Sequence, residues 1–75
     1  MLSHKNGVLV TVGSHLRWVD LEKNTILYDQ QIGHSQIFQL LENSTYFMVV
    51  NFEGLVSLLL KDSFEIKHQF YLPGK

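Results

Sequence analysis

The two halves of this 75-residue chain match each other when the sequence is shifted along itself by 39 positions. Apolar and polar positions coincide under the shift: residues 9–12 fall on 48–51, Leu16 on Leu55, Val19 on Leu58, Leu21 on Leu60, Leu27 on Ile66, Gln30 on Gln69, and the polar residues 22–24 on 61–63. Self-similarity at such a period is typical of repeat architectures, in which each unit buries its apolar faces against the next. The sequence therefore predicts two copies of one small structural unit.

Each unit is predicted to consist of β-strands. Alanine is absent, β-branched and aromatic residues are abundant, and apolar residues do not recur at helical spacing. Short apolar runs alternate instead with breaks that carry glycine, asparagine or serine. Seven strands are predicted, at residues 8–12, 15–21, 25–31, 36–41, 46–51, 55–60 and 64–71.

The breaks between these strands are too short to hold crossover helices. Neighbouring strands are therefore expected to pair antiparallel, as a meander. Two stretches, 47–50 and 58–60, are apolar at consecutive positions and so on both faces of a strand. Such strands are typical of a sheet that lies between two packed layers. The sequence thus predicts an all-β fold of stacked antiparallel sheets.

Composition restricts the partners that the chain is expected to have. Charged residues make up only 17%, they are scattered, and the net charge is −1, which gives no electrostatic reason to expect nucleic acid. No apolar run approaches the roughly 20 residues of a membrane helix, so no membrane partner is expected. The absence of cysteine favours an intracellular location, cytoplasmic or nuclear. Hydrophobic residues reach 45%, which favours a protein partner or self-association.

No enzymatic activity is predicted. The four histidines, His4, His15, His34 and His68, show no spacing typical of metal ligands, so neither a metal nor another cofactor is expected. The carboxylates fall mostly at predicted strand ends and turns, without the convergence that acid–base catalysis needs. The sequence contains no glycine-rich phosphate loop and no nucleophile elbow.

Three segments carry a resemblance to a known family. Residues 16–27, Leu-Arg-Trp-Val-Asp-Leu-Glu-Lys-Asn-Thr-Ile-Leu, resemble the hairpin of third and fourth strands in a WD-repeat-like β-propeller blade. Gly33-His34 is similar to the pair that precedes the innermost strand of a WD blade. Glu53-Gly54 lies where such blades often place an aspartate-glycine turn. The tryptophan-aspartate dipeptide is interrupted here, because Val19 separates Trp18 from Asp20.

The resemblance implies four-stranded antiparallel meander blades of a β-propeller. Within a single β-repeat unit spanning residues 1–75, residues 7–33 are interpreted as a partial blade of three strands and 34–73 as a full blade. A propeller of this family has roughly four to eight blades, so two blades form an incomplete ring. Apolar faces and open sheet edges are then expected to remain uncovered.

The expected function is that of a non-enzymatic protein–protein interaction scaffold, which completes a ring with copies of itself or with a larger partner. The residues expected to make these contacts lie on apolar strands or form an arginine–tryptophan pair: Arg17, Trp18, Phe47, Val49, Val56, Leu58 and Leu60. Two alternatives stay open from the sequence. One is a small self-contained β-barrel that binds a ligand, and the other is a fragment of an enzymatic, quinoprotein-type propeller.

Overall fold

The computed structural model describes residues 2–73, which form eight β-strands and no helix. The strands are β1 (Leu2–His4), β2 (Gly7–Val12), β3 (His15–Asp20), β4 (Thr25–Gln31), β5 (Ile37–Glu42), β6 (Tyr46–Asn51), β7 (Leu55–Leu60) and β8 (Ile66–Tyr71). Strands β1–β4 form the N-terminal sheet and β5–β8 the C-terminal sheet, each in chain order and antiparallel. The predicted all-β antiparallel meander is confirmed. Within residues 2–73 the two sheets remain separate and form no closed ring.

The strand that the sequence analysis did not predict is β1. It pairs with β2 from Leu2 opposite Leu9 to His4 opposite Gly7. The first sheet therefore has four strands, whereas residues 7–33 were predicted to supply only three. With β1 included, both halves of the chain have the same number of strands in the same order.

Two of the hairpin turns are closed by side chains that cap backbone N–H groups. The Asp20 carboxylate accepts the N–H groups two and three residues later, at 3.0 and 3.2 Å. The Asn43 side-chain oxygen does the same at 2.8 and 2.7 Å. Aspartate and asparagine favour turns for this reason, because their side chains replace a backbone acceptor. These polar breaks end the strands as the sequence pattern predicts.

The internal repeat changes its period within the unit. Strand β2 matches β6 at an offset of 39 residues, whereas β3 matches β7 at an offset of 40. The difference arises in one turn, because two residues separate β2 from β3 but three separate β6 from β7. Beyond this turn, the equivalences predicted with the constant shift of 39 are therefore displaced by one residue. Leu16 corresponds to Val56 rather than to Leu55.

A β-bulge recurs at the same place in both sheets and supports the offset of 40. The register of β3 on β4 shifts between Trp18 and Val19, and that of β7 on β8 shifts between Leu58 and Leu59. A bulge bends its strand and increases the local twist. Both sheets carry the bulge at the same position, so the β3–β4 and β7–β8 hairpins are expected to twist alike. Two sheets with the same twist can stack on each other.

The core lies between the two sheets. We call the face that each sheet turns to the other its inner face, and the opposite face its outer face. The buried core side chains come from the two inner faces and the adjoining turns: Leu9, Leu16, Ile32, Ile37, Phe47, Val49, Leu55, Leu59 and Phe64. Period-2 alternation accounts for the N-terminal contribution, since Leu9 on β2 and Leu16 on β3 project to one side of their sheet.

Backbone hydrogen bonds tie the segment that joins the sheets, and the first residue of β5, to the N-terminal sheet. The Ile32 N–H donates to the Ser14 carbonyl at 2.8 Å, and the Ile37 N–H donates to the Gly13 carbonyl at 2.8 Å. Both acceptors belong to the turn between β2 and β3. The Ile32 side chain is 1% exposed and forms part of the core. The relative position of the two sheets is thus set by main-chain bonds as well as by side-chain packing.

Candidate interaction surfaces

Two of the residues predicted to contact a partner are in the internal core. Phe47 and Val49 on β6 are both 0% exposed and lie on the inner face of the C-terminal sheet. They pack against the N-terminal sheet of the same chain, so no partner can reach them while the sheets are stacked. The prediction is corrected for these two side chains. Their apolar character is accounted for by the sheet-to-sheet contact.

Arg17 and Trp18 do not form one surface patch, as their adjacency in the sequence suggested. Successive residues of a strand project to opposite faces, and these two do so on β3. Trp18 lies on the inner side, where its indole N–H donates to the His4 carbonyl at 3.0 Å and its ring lies 5.4 Å from that of Phe64. Arg17 projects to the outer face. Trp18 therefore contributes to packing while part of it stays exposed, and Arg17 lies on the outer face.

The outer face of the C-terminal sheet carries the other predicted interaction residues. The strand register places Val56 opposite Val50, Leu58 opposite Met48, and Leu60 opposite Tyr46. Besides these three pairs, the face includes Leu41, His68 and Phe70. Leu41 is 42% exposed and Phe70 49% exposed, whereas Val56 is recessed at 3%. Within residues 2–73, this face carries no aspartate, glutamate, lysine or arginine, and His68 is its one histidine.

The outer face of the N-terminal sheet has a different composition. Its apolar part consists of valines and one isoleucine from β2, β3 and β4: Val8, Val10, Val12, Val19 and Ile26. Val12 is 48% exposed and Ile26 55% exposed. Beside them lies a polar cluster formed by His15, Arg17 and Asp29. This outer face is therefore half apolar and half charged.

The polar cluster is held together by its carboxylate. Asp29 accepts a hydrogen bond from His15 Nδ1 at 2.8 Å and from Arg17 Nε at 3.1 Å, on different oxygens. The hydrogen bond from His15, followed by the charge of Arg17, holds the pKa of the Asp29 carboxyl below its ordinary value. About a third of each side chain remains exposed. The cluster is therefore accessible to a partner while its charges already compensate each other.

His4 lies among aromatic rings. Its ring centroid is 5.0 Å from Phe47, 5.4 Å from Trp18 and 5.7 Å from Phe64. Its Nε2 is buried and has no hydrogen-bond partner. The residue comes from β1, the strand that the sequence analysis missed, and it extends the core between the sheets.

Glu53 joins the inter-sheet segment to the turn between β6 and β7. Its Oε1 accepts the backbone N–H groups of His34 at 2.7 Å and Ser35 at 2.9 Å. The Ser35 hydroxyl accepts the Glu53 N–H at 2.8 Å in return, and the Tyr71 hydroxyl donates to Oε2 at 3.3 Å. The backbone bond from His34, followed by that from Ser35, lowers the pKa of the Glu53 carboxyl. The turn that contains Glu53 thus also anchors the segment that joins the two sheets, called the linker below.

Acid is expected to weaken this anchor, and the change Glu53→Gln should remove that pH dependence. The pKa of Glu53 is lowered from an ordinary 4.5 in the folded chain, so the unfolded chain binds more protons below that pH. The stabilisation is present above pH 4.5 and is lost as the pH falls through the lowered folded pKa. Urea unfolding from about pH 7 to about pH 3 measures it.

The difference in unfolding free energy between the wild type and E53Q should be largest above pH 4.5 and should shrink as the pH falls. Glu65→Gln, at an exposed position near the turn between β7 and β8, is the matched control and should leave the pH profile unchanged. Parallel wild-type and E53Q profiles over the whole range would contradict the role assigned to this carboxylate.

Comparisons with known proteins find no match among models of protein families, curated proteins or solved structures. Within residues 2–73, no group of three or more histidine, aspartate and glutamate side chains is arranged to hold a metal ion, and no pocket is found. The same part of the chain has no helix of the length and hydropathy needed to cross a membrane. The two outer faces are the candidate functional surfaces.

Proposed function

We propose that this chain is a non-enzymatic, β-propeller-type segment that acts as a protein–protein interaction scaffold. Its two sheets correspond to two blades, and it completes a ring with copies of itself or with a larger partner. The stacking of two four-stranded meanders supports this proposal, because propeller blades have that strand number and that order. The recurrence of the same bulge in both sheets supports it further.

The observation that carries the proposal is the apolar outer face of the C-terminal sheet. Met48, Leu58 and Leu60 are partly exposed there, next to Leu41 and Phe70. Single exposed apolar side chains are ordinary, but a continuous apolar sheet face is typical of an interaction site. The inner face of the same sheet shows how such a surface is stabilised, namely by stacking of another sheet.

Four carboxylates are engaged in contacts that hold the fold together, which supports a non-enzymatic function. The Asp20 carboxylate caps a turn, Asp29 is paired with Arg17, and Glu53 holds the linker. Glu42 forms an ion pair with Lys61 at 2.7 Å. Catalytic acids and bases need to be free to exchange protons with a substrate. These carboxylates are occupied in the structure by contacts that hold turns, strands and the linker.

Sedimentation velocity over a concentration series tests the proposal. The wild-type chain is expected to show a mass that rises with concentration above that of one 8.7 kDa chain. Replacing Met48 and Leu58 together by lysine should abolish the rise, because desolvating two unpaired ammonium groups costs several kcal/mol. The matched control is Leu21→Lys, at a 64% exposed position in a turn outside both outer faces. A wild-type chain that stays at one chain mass throughout would contradict the self-association form of the proposal.

A further inference from the structure

The internal contact between the sheets joins two different faces of the repeated unit. Leu9 on the inner face of the N-terminal sheet corresponds to Met48, which lies on the outer face of the C-terminal sheet. Conversely, Phe47 on the inner face of the C-terminal sheet corresponds to Val8, on the outer face of the N-terminal sheet. The sheets thus stack in a head-to-tail manner, and the two faces left open are of the two types that already bind each other within the chain.

We infer that copies of this chain associate head to tail, the outer face of the C-terminal sheet of one copy stacking on the outer face of the N-terminal sheet of the next. This inference rests on the proposed scaffold function and names its partner and its geometry. An interface between two different faces is heterologous, so it leaves one face of each type open at the ends of the assembly. Repetition of the contact gives a closed ring if its rotation closes and an open filament if it does not.

Charge also favours the head-to-tail contact over contacts between like faces. Pairing two N-terminal outer faces would place the His15–Arg17–Asp29 cluster against another copy of itself. Stacked on the C-terminal outer face, the cluster meets mostly apolar side chains and His68, and Arg17 is already paired with Asp29 within its own sheet. Pairing two C-terminal outer faces would leave the exposed Val12 and Ile26 uncovered. One head-to-tail contact covers an outer face of each type, one on each copy.

The size of the sheets predicts a weak contact for each pair of copies. Four strands about 4.8 Å apart and six residues long give a face of about 20 by 20 Å. Such a face buries an area at the low end of specific interfaces, below about 1,200 Å² in total. Interface area alone does not fix the affinity, so association is measured over concentrations on the order of 10 to 500 µM.

Two single-face variants and their mixture test the inference. Leu58→Arg alters only the C-terminal outer face, and Val10→Arg alters only the N-terminal outer face. Each variant alone is expected to associate at least about a hundredfold more weakly than the wild type, because one partner face of every contact carries an unpaired charge. Mixed in equal amounts, they should form a one-to-one dimer, since V10R keeps the intact C-terminal face and L58R keeps the intact N-terminal face.

Native mass spectrometry of the mixture identifies this dimer, because the two variants differ in mass. Circular dichroism and Trp18 fluorescence first verify that each variant is folded, and Met48→Lys with Val8→Lys supplies a second pair if one is not. Leu21→Arg is the control and should associate like the wild type. If V10R associates like the wild type while L58R does not, like C-terminal faces pair, and the inference is overturned while the scaffold function stands. A monomeric wild type overturns the inference together with the self-association form of the scaffold proposal, and leaves the form that requires a larger partner standing.

Discussion

Replacing Phe64 by alanine is expected to lower the free energy of unfolding by about 3–5 kcal/mol, the usual cost of deleting a buried phenyl ring. Phe64 is 5% exposed and lies in the turn between β7 and β8. Its ring stacks on Tyr28 of the N-terminal sheet at 4.4 Å and lies 5.9 Å from Phe47 of the C-terminal sheet. One side chain therefore bridges both sheets, and its removal leaves a cavity at their contact.

Urea unfolding followed by Trp18 fluorescence and by circular dichroism measures this effect, at one protein concentration for all variants. Phe52→Ala is the matched control, since it deletes the same ring at a position that is 68% exposed, and its contact with Phe38 at 4.8 Å limits the expected loss to about 1 kcal/mol. A domain of 75 residues has roughly 4–11 kcal/mol of stability, so F64A should remove a large fraction of it. Equal midpoints for F64A and F52A would refute the bridging role.

The change Gly33→Ala is expected to destabilise the chain by about 3 kcal/mol. Gly33 has a φ of +75°, where a side chain costs about 1–2 kcal/mol. An added Cβ would overlap the side-chain amide of Asn51 and would lie 3.0 Å from Glu53 Oε1. Asn51 is fully buried, and its side-chain amide donates to the Ile32 carbonyl at 3.2 Å. Displacing Asn51 breaks this buried hydrogen bond, which costs about 1–3 kcal/mol more.

Gly13→Ala separates the two contributions. Gly13 also has a positive φ, +60°, but an added Cβ there meets no atom within 4 Å. It should therefore cost only the backbone term of about 1 kcal/mol. Both variants reduce the entropy of the unfolded chain equally, so their difference in urea unfolding reports the contact with Asn51. If G13A and G33A lower the free energy of unfolding equally, the side chains of Asn51 and Glu53 do not confine Gly33 as proposed.

The strands were predictable from the sequence because each one is bounded by a turn with its own side-chain chemistry. The predicted limits of β4, β6 and β7 agree with the structure, those of β2, β3 and β5 differ by one residue, and β8 begins two residues later than predicted. Strand β1 escaped prediction because it has only three residues, of which Leu2 alone is strongly apolar. Three residues cannot show a period of two, so this strand depends on the ladder with β2 rather than on its own pattern.

The interaction residues were predicted less well because the sequence does not tell which face of a doubly apolar strand is covered. Phe47 and Met48 are both apolar, yet the first is in the core and the second on the outer face. The choice depends on the side from which the other sheet approaches. The role of Glu53 was missed for a related reason, since its partners His34 and Ser35 are 18 or more residues away in the chain.

Strand order along the chain has a consequence for folding rate. Every ladder joins consecutive strands through connections of two to five residues, so each hairpin can close in about 1–10 µs. Docking of one finished sheet on the other is then the slow event, because it alone requires ordering across half the sequence. During translation at about 5–20 residues per second, the first sheet waits several seconds for the second. Throughout that interval Leu9 and Leu16 are exposed to water. The C-terminal sheet of a second nascent chain then competes with the chain's own C-terminal sheet to cover them.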